Sequence, residues 1–381
     1  MTVTPLDTIR LIRTRKFPSI EVGLFAALTR LPEVRQALNI SSDGDLVWEF
    51  VPSNTVGEPT RGVLYFNVGG IQLDQHGRPE NADICNVCSL DLLTEHGINI
   101  PSLYPWMTEV FNRVRLNDIN GAQLATKGGE RNRHKLGAPL RDLALGVNLL
   151  HASTPMRALN YLALAFEGIF ALVRAQEPVD TVWFADSIKR GVRMVASPRT
   201  AQAFDRITDQ AALRANDEYL QGIKDVDRAI NAGTIRTVAV PEIGRVEVVM
   251  ATSASAKLGQ AARTKKFGLA IQVQPADTHH AGVQIYSGQV RRGNTKGKLD
   301  LTNLAVALRR AECQKLGIEP TGNLNAAGTA VDQRWYLPEF RSNVLNGSLS
   351  ADIAPSALSA EEIFWICAKA LPECGFIADT N

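Results

Sequence analysis

The stretch GVLYFNVGGIQLDQHGRPE, residues 62–80, places a nearly all-apolar run directly before a polar loop with two adjacent glycines. Such a run is typical of a parallel β-strand that is covered on both faces. In an open α/β sheet, ligands bind at the carboxyl ends of the strands, because the loops there present side chains to one point. Asn67 closes the apolar run, and Asp74 and His76 follow within the loop. The stretch therefore predicts an α/β fold with candidate site residues at the end of a strand.

Helix and strand patterns alternate around this stretch. Residues 20–38 carry apolar side chains at helical spacing, and 46–53 and 61–70 are strand candidates. A helix is predicted over 84–96, with Gly97 in the position that follows a helix C-terminus. This alternation predicts an α/β domain in the first part of the chain.

Helical periodicity dominates the middle of the chain. Residues 157–176 and 181–196 are helix candidates, and a long polar helix follows over 200–233, where glycine ends it. Beyond it, short segments predict strands with one small-residue helix among them. The strand candidates are 234–241, 245–251, 267–274 and 282–288, and the helix candidate is 255–263. Two domains follow from this pattern: an α/β domain with its helical connector over 1–232, and a smaller mixed α/β domain over 233–381.

Length and composition set bounds on these predictions. The chain has 381 residues, which exceeds the size at which one core usually stops growing, so two domains are expected. Its formal net charge of +2 implies no overall attraction to nucleic acid or membrane, although a local basic surface stays possible. The N-terminus has no apolar run of signal-peptide length, and no stretch of about 18 apolar residues occurs. We therefore expect a cytoplasmic protein.

The five cysteines form no recognisable disulfide framework, because their number is odd and the chain is long. Cys85 and Cys88 form a CxxC pair, but a zinc site needs two further ligands at suitable spacing. The other cysteines, which supply no second pair, are Cys313, Cys367 and Cys374. A redox pair is the alternative. We interpret Cys85 and Cys88 as small core residues of the predicted helix.

Asp74 and His76 are a candidate metal pair. An aspartate and a histidine suit manganese, iron or zinc, and such a metal converts bound water into hydroxide near neutral pH. Taken alone, the pair is also compatible with a surface loop. His279 and His280 lie in a predicted turn before a strand, which favours an exposed loop. The basic loop over 127–137 is typical of a solvated segment, with contact to nucleic acid or a partner as the alternative.

The order of five segments carries a family resemblance. RTRKFPSIEVGLFAALTRLP (13–32) precedes VLYFNVGGIQLDQHG (63–77), and CNVCSLDLLTEHG (85–97) precedes VRLNDINGAQ (114–123). In this order they resemble the DHH phosphoesterase superfamily, most closely its branch of metal-dependent hydrolases and exonucleases related to the melanocyte-proliferating gene product. The segment 282–313 looks like the strand, glycine-asparagine-x-threonine loop and helix of that branch's DHH-associated domain. The resemblance implies a parallel-sheet domain, a helical connector and a smaller substrate-binding domain.

The chain departs from the family pattern where the family holds its metals. Phe17 is kept in the opening motif, but Pro18 replaces a histidine and Ile20 replaces an aspartate. Asn67 stands where the family has an aspartate. Gln75 stands where the family has the middle histidine of its Asp-His-His box.

These replacements leave few anionic metal ligands. Ile119 falls at a further family aspartate, and Asp118 is one residue away. The resemblance then implies a ligand set of at most Asn67, Asp74, His76 and Asp118. Two dications about 3.5–4 Å apart repel strongly and need several anionic ligands. We expect one Mn or Zn ion at most, and favour none.

Two groups of residues suggest another use of the site. Arg13, Arg15 and Lys16 lie in the opening motif, where family metal ligands would be. The second group lies in the C-terminal glycine loop and comprises Arg291, Arg292, Gly293, Asn294, Thr295, Lys296 and Lys298. Guanidinium and backbone N–H groups bind phosphate. If both groups face the interdomain cleft that the resemblance implies, they would bind a phosphate-containing ligand without a metal. Solvated surface charge is the alternative.

An aromatic and basic segment lies beyond the resemblance. Trp335, Tyr336 and Phe340 stand beside Arg334 and Arg341. These side chains would stack on bases, anchor a protein partner or fill the core of the second domain, and we favour the core.

Three functions stay open from the sequence. The leading hypothesis is a degenerate DHH-phosphoesterase-like protein that binds nucleic acid or a nucleotide in an interdomain cleft, either alone or as a subunit of a larger complex. The second is an active single-metal phosphodiesterase or exonuclease, with Asp74 and His76 as catalytic residues and a Mn or Zn hydroxide as nucleophile. The third is a structural subunit whose protein partner covers the aromatic C-terminal segment. No membrane partner is expected.

Overall fold

The structure is a computed structural model with an α/β architecture that divides into two compact units, Met1–Ala215 and Asn216–Asn381. The first unit contains a parallel sheet and the second a mixed sheet, which confirms the predicted α/β class. The structure describes residues 8–41, 46–53, 55–74, 88–120, 137–180, 182–275, 282–320, 322–329, 334–338, 340–347 and 353–379. At 119, 120 and 329 it describes the backbone and not the side chain.

A short parallel sheet positions the candidate site of the first unit. Its strands are β1 (Leu11–Arg15), β2 (Val47–Val51) and β3 (Val63–Tyr65). They are ordered β2-β1-β3, and β1 pairs in parallel with both neighbours. β2 and β3 lie within the strands predicted over 46–53 and 61–70. β1 was not predicted as a strand, although buried Ile12 and Thr14 alternate there with partly exposed neighbours, at the two-residue period of a strand.

The remaining elements of the first unit that the structure describes are helices. They are α1 (Ile20–Leu28), α2 (Pro32–Ala37), α3 (Ile100–Leu103), α4 (Thr108–Asn120), α5 (Leu140–Leu150), α6 (Pro155–Arg174) and α7 (Ala185–Val195), with 3-10 helices at Asp91–His96 and Pro105–Met107. The helix predicted over 20–38 is therefore two helices, because Pro32 lacks the N–H that would continue the first and instead begins the second. Ser19 caps α1, since its hydroxyl accepts the backbone N–H of Val22 at 3.2 Å.

The helix predicted over 84–96 is described only from residue 88 onward. Its described part is the 3-10 helix, and Gly97 follows with a φ of 75°. The predicted glycine position is thereby confirmed, because this left-handed conformation is one that glycine adopts without steric cost.

Helix α6 is the core helix of the first unit. It packs against α1 and α7, and its 20 residues are long and apolar enough to cross a membrane by length and composition alone. Most of its residues are buried within the unit, however, which fits a core helix of a soluble protein. Gly168 of α6 and Gly191 of α7 let the two backbones approach closely, since a Cβ on Gly191 would lie 2.2 Å from the Gly168 carbonyl oxygen.

A 34-residue helix, α8 (Pro198–Asn231), is the long polar helix that the sequence predicts, and Gly233 follows it with a φ of 72°. The division between the compact units falls inside this helix, after Ala215, whereas the boundary predicted near residue 233 follows its end. Val226 and Ala229 in its last turns belong to a buried apolar cluster of the second unit. The end of α8 is thus part of the second unit's core.

The second unit is built on a mixed seven-stranded sheet and a small three-stranded sheet. Its strands are β4 (Ile235–Val240), β5 (Gly244–Thr252), β6 (Leu269–Val273), β7 (Val283–Ser287), β8 (Val290–Arg292), β9 (Thr295–Asp300), β10 (Gly328–Thr329), β11 (Tyr336–Leu337), β12 (Asn343–Asn346) and β13 (Gly375–Ala378). Its further helices are α9 (Leu258–Thr264), α10 (Thr302–Leu316) and α11 (Ala360–Ala370), with a 3-10 helix at Leu371–Glu373. The strand orders are β10-β11-β12-β7-β6-β5-β4 and β13-β9-β8. The four predicted strands and the predicted short helix between β5 and β6 are confirmed.

The predicted glycine loop of the second unit connects two strands, and not a strand and a helix as the resemblance suggested. Arg292 pairs with Thr295 across β8 and β9, so Gly293 and Asn294 form a two-residue hairpin turn. Gly293 has a φ of 60°, which explains why glycine stands there. The next helix begins only at Thr302, after β9.

Helix α10 holds the C-terminal segment through two fully buried charged side chains, Arg309 and Glu312. At 2.6–3.1 Å, the guanidinium of Arg309 donates to the backbone carbonyls of Leu324, Ala326, Gly328 and Trp335. Glu312 accepts the indole N–H of Trp335 at 3.0 Å and the backbone N–H of Ala357 at 2.7 Å. Trp335 is therefore a core residue, as the sequence favoured, whereas Phe340 is exposed.

Candidate ligand site at the strand ends

The loop after β3 turns back onto its own strand at the carboxyl end of the parallel sheet. Asn67 and Gln72 both have positive φ, 58° and 51°, which is uncommon outside glycine. Leu73 donates its N–H to the carbonyl of Tyr65 at 3.1 Å, and Asn67 donates its N–H to the carbonyl of Leu73 at 2.9 Å. The side-chain amide of Gln72 also accepts the N–H of Tyr65 at 2.7 Å. These bonds fix the backbone of the loop that carries the predicted site residues.

Asp74 ends the described part of this loop and is buried. Its Oδ2 accepts the backbone N–H of Gly70 at 2.8 Å, and its own N–H donates to the carbonyl of Ile71 at 3.2 Å. His76, the other member of the predicted pair, lies outside the described residues. The pairing of Asp74 with His76 therefore stays a prediction.

A glutamate of α1 meets Asn67 beneath this loop. Glu21 is 2% exposed, and Asn67 is equally enclosed. The Nδ2–H of Asn67 donates to Glu21 Oε2, and the backbone N–H of Leu90 donates to Glu21 Oε1 at 3.1 Å. The carboxyl group thus lies between the end of β3 and the segment that leads into the first 3-10 helix.

The pKa of Glu21 is raised well above its ordinary value. Burial is the largest cause, and the negative charge of Asp118 on α4 raises the pKa further. The positive charge of Arg15 and the N–H of Leu90 lower it, and the charge of Asp74 raises it by a smaller amount. Glu21 therefore keeps its proton to a higher pH than an exposed glutamate does. Three predicted site residues, Arg15, Asp74 and Asp118, therefore act on this carboxyl group through their charges.

Three polar atoms at the strand ends are buried without a hydrogen-bond partner among the described residues: Thr14 Oγ1, Arg15 Nε and Asn67 Oδ1. Buried polar groups are nearly always paired, and an unpaired one costs about 1–3 kcal/mol. They are a hydroxyl that can donate or accept, an N–H donor and an amide acceptor. Each is an atom that water or a polar ligand can complete.

The basic residues of the opening motif have different surroundings. Arg13 Nε donates to Glu49 Oε2 at 2.6 Å, so its charge is already paired. Lys16 is exposed. Arg15 lies at the end of β1, and its charge acts on the buried carboxyl group of Glu21. Of these three residues, Arg15 is the one that the structure brings to the site.

The C-terminal basic group lies on the surface of the second unit. Its exposed members are Arg291, Arg292, Gly293, Asn294, Thr295 and Lys296. Arg292 Nη1 lies 3.5 Å from Glu242 Oε2, and the guanidinium of Arg292 lies over the ring of Phe376 at 4.9 Å from the centroid. Gly293 and Asn294 form a hairpin turn and do not begin a helix. This turn therefore does not present the N–H groups of a helix N-terminus to a phosphate.

The described cysteines are core residues. Cys88 is fully buried, and burial raises the pKa of its thiol, which disfavours the reactive thiolate. Cys313, Cys367 and Cys374 are also buried as free thiols. Cys85 lies outside the described residues, so the proposed CxxC pair is not described as a unit.

The described residues do not fit a metal centre. Within them, no group of three or more histidine, cysteine, aspartate or glutamate side chains is arranged to hold a metal ion. The carboxyl group of Glu21 already accepts an amide and a backbone N–H, and Asn67 supplies a neutral group where the resemblance implies an aspartate. Two dications need several anionic ligands at one point, which this arrangement does not provide.

Comparison with known proteins leaves the family resemblance a prediction. The sequence matches no protein-family model and no curated protein sequence.

Sequence reasoning missed Glu21, the residue at the centre of this site. The signal was present, because Glu21 is the sole charged residue of the otherwise apolar helix segment IEVGLFAAL. A lone carboxylate in a helix that is buried on all sides must find polar partners inside the protein. Its partner was the asparagine that the sequence had already singled out.

Proposed function

We propose that the first unit is a degenerate phosphoesterase of DHH type that binds a nucleotide or single-stranded nucleic acid at the carboxyl ends of β1 and β3 without hydrolysing it. The observation that carries this proposal is the buried hydrogen bond from Asn67 to Glu21. It lies where the resemblance implies an anionic metal ligand. A neutral amide and a carboxyl group with a raised pKa attract a dication far less than two carboxylates do.

The polar atoms that lack a partner among the described residues support a ligand that carries both acceptors and donors. Arg15 Nε can donate to a phosphate or base oxygen, and a charged donor strengthens such a bond. Asn67 Oδ1 can accept an N–H from a nucleobase, and the hydroxyl of Thr14 suits either role. Nucleotides offer both kinds of group.

A salt titration with a labelled single-stranded oligonucleotide tests this proposal. We expect saturable binding that weakens as salt increases, because phosphate contacts release counterions. The Arg15→Ala variant should bind about tenfold or more weakly, since a hydrogen bond to a charged group contributes roughly 1.5–3 kcal/mol. Arg10→Ala is the matched control, because Arg10 is exposed at the opposite end of the same strand. Equal loss in both variants, or no binding by the parent protein, would contradict the proposal.

The exposed hairpin of the second unit needs a separate variant. Arg291→Ala removes a positive charge from β8 and leaves the described contacts of the strand-end site unchanged. Weaker binding of this variant at low salt would indicate that the predicted C-terminal basic group contributes to the ligand's phosphate contacts.

Single-metal hydrolysis is a second candidate, and one observation favours it. The charges of Asp74 and Asp118 both act on the carboxyl group of Glu21, which shows acidic residues in its surroundings. A hydrolase of this kind would release mononucleotides only when manganese or zinc is added, and Asp74→Ala would abolish the release. Product that forms equally in the presence of a chelator would rule it out.

A further inference from the structure

A cavity of about 460 Å³ lies in the second unit, at the carboxyl ends of the parallel strands β5 and β6. This is the position at which open α/β sheets bind ligands. Its volume falls within the range of small-molecule pockets, which are mostly apolar with a few polar groups. The apolar part of its wall is rich in alanine and includes Ala229, Ala232, Met250, Ala251 and Ala254.

One carboxylate supplies the negative charge of this cavity, whose wall also includes Arg228. Asp225 lines it, and its side chain is only 3% exposed. Asp225 Oδ2 accepts the hydroxyl of Ser253 at 2.7 Å, and Oδ1 accepts the amide of Gln221 at 2.8 Å and the guanidinium of Arg228 at 3.0 Å. A carboxylate offers about four acceptor positions, so these three bonds leave one for a further donor.

Arg228 shows what kind of group fits against this carboxylate. Its guanidinium contacts Asp225, yet its side chain is 71% exposed. An exposed ion pair three residues apart on a helix contributes little to stability. A cation from solution can therefore displace Arg228 from Asp225 at small cost.

The end of helix α8 adds to the preference for positive charge. Ala229 and Ala232, at and just beyond its last turn, line the cavity. The C-terminus of a helix carries a partial negative charge, which favours cations near its last turn. Asp225 and the helix terminus thus act in the same direction.

We infer that this cavity binds an organic cation, a guanidinium or ammonium group on a short apolar chain, with the cation against Asp225 and the chain against the alanine-rich wall. The inference concerns the second unit and does not depend on the function proposed for the first. The same chemistry is available from a free small molecule or from an arginine or lysine side chain of a peptide.

Butylguanidinium is a suitable probe, and butylurea is its neutral counterpart of nearly the same shape. Calorimetric titration of the full chain should show binding of butylguanidinium and about tenfold weaker or no binding of butylurea. Arg228→Ala should bind butylguanidinium about twofold to fivefold more tightly, because the internal competitor is gone. Lys224→Ala, one turn earlier on the exposed face of α8, should leave the affinity unchanged.

Two variants that remove the site complete the test. Asp225→Asn should lose binding by about tenfold or more. Because this change also alters the bond with Ser253, Ala232→Phe serves as a second variant that fills the cavity from its exposed rim and leaves Asp225 in place. Both variants should lose binding while their circular dichroism stays that of the parent chain.

The source of the cation is distinguished by a capped tripeptide with a central arginine. Binding of the peptide that depends on Asp225 supports a partner's side chain as the ligand, whereas binding of butylguanidinium without the peptide supports a free small cation. Equal affinities for butylguanidinium and butylurea, or no binding by Arg228→Ala at about 10 mM probe, would overturn the inference.

Discussion

Both units bury an ionisable side chain, Arg309 in the second and Glu21 in the first, but the two side chains differ in how fully their hydrogen bonds are satisfied. In the second unit, Arg309 donates five hydrogen bonds to backbone carbonyls and so joins the C-terminal segment to α10. In the first unit, Glu21 accepts the backbone N–H of Leu90 and one N–H of Asn67, whose amide oxygen has no partner among the described residues. Thr14 Oγ1 and Arg15 Nε, at the end of β1, also lack a described partner. A saturated network stabilises a fold, whereas an unsaturated one leaves polar capacity for a ligand.

The largest effect should come from breaking the saturated network. Arg309→Leu leaves several carbonyls without their donors, and we expect it to lower the free energy of unfolding by about 3–5 kcal/mol. Denaturant titration measures this change. The adjacent exposed Arg310→Leu is the matched control and should change stability by about 0.5 kcal/mol or less. Similar losses in the two variants would show that the buried contacts do not carry the stability of this segment.

A smaller effect is expected when a second carboxyl group is placed beside Glu21. Asn67→Asp should lower the free energy of unfolding by about 1–3 kcal/mol. The carboxyl group of Glu21 then loses the N–H that Asn67 donates to it, and it faces a second carboxyl group instead. Manganese should restore part of the loss by raising the melting temperature of this variant, since a dication relieves the repulsion. Asn216→Asp, on the exposed face of α8, is the control. A manganese-induced rise of equal size in the parent protein would mean that Asn67 does not weaken metal binding.

The pH dependence of stability should distinguish Glu21 from an ordinary surface glutamate. Because burial raises its pKa in the folded chain, the folded state holds the proton more tightly than the unfolded state. Its contribution is therefore complete below pH 4.5, the ordinary value, and declines as pH rises above it. Glu21→Gln, which cannot ionise, should match the parent protein to within about 0.5 kcal/mol near pH 4.5 and become relatively more stable as pH increases. Parallel stability curves for the two proteins would contradict the assigned pKa shift.

The smallest effect is expected at Glu362, on the surface of the second unit. Its contribution to stability should be lost as pH falls, whereas that of Glu21 is lost as pH rises. The Lys315 ammonium and the Ser359 N–H lower the pKa of partly exposed Glu362 to about 2, and Glu362 also forms a capping box with Ser359 at the start of α11. Its ionised form therefore stabilises the fold above pH 4.5, and this contribution is lost as pH falls toward 2. Glu362→Gln should be slightly less stable than the parent at neutral pH, and the difference should vanish in acid. A difference that persists at low pH would assign the effect to packing instead of charge.

The sequence predicted the elements with clear periodicity and missed those in which charged residues interrupt it. β5, β6 and β7 follow from alternation, and α8 follows from its helical spacing and closing glycine. The sequence does not predict β1, because Arg13 and Arg15 in it suggest a ligand-binding motif. A strand can also present such residues on its partly exposed face. Its pairing with β2 and β3 is a long-range property that local pattern does not contain.

The site was predicted in part for the same reason. Asn67 and Asp74 follow directly from the end of a buried strand, whereas Glu21 reaches Asn67 only through tertiary packing over 46 residues of chain. The glycine loop at Gly293 was misread because a Gly-Asn pair suits a hairpin turn as well as a phosphate-binding loop. Local sequence does not decide between the two when the following element is short.

Equilibrium binding of a labelled single-stranded oligonucleotide in the presence of a metal chelator tests the central claim most directly. The unsaturated site at Asn67, Glu21 and Arg15 predicts that the parent protein binds the oligonucleotide without added metal and leaves it intact. An oligonucleotide that stays unbound in chelator, and is bound and cut once manganese is restored, would contradict it.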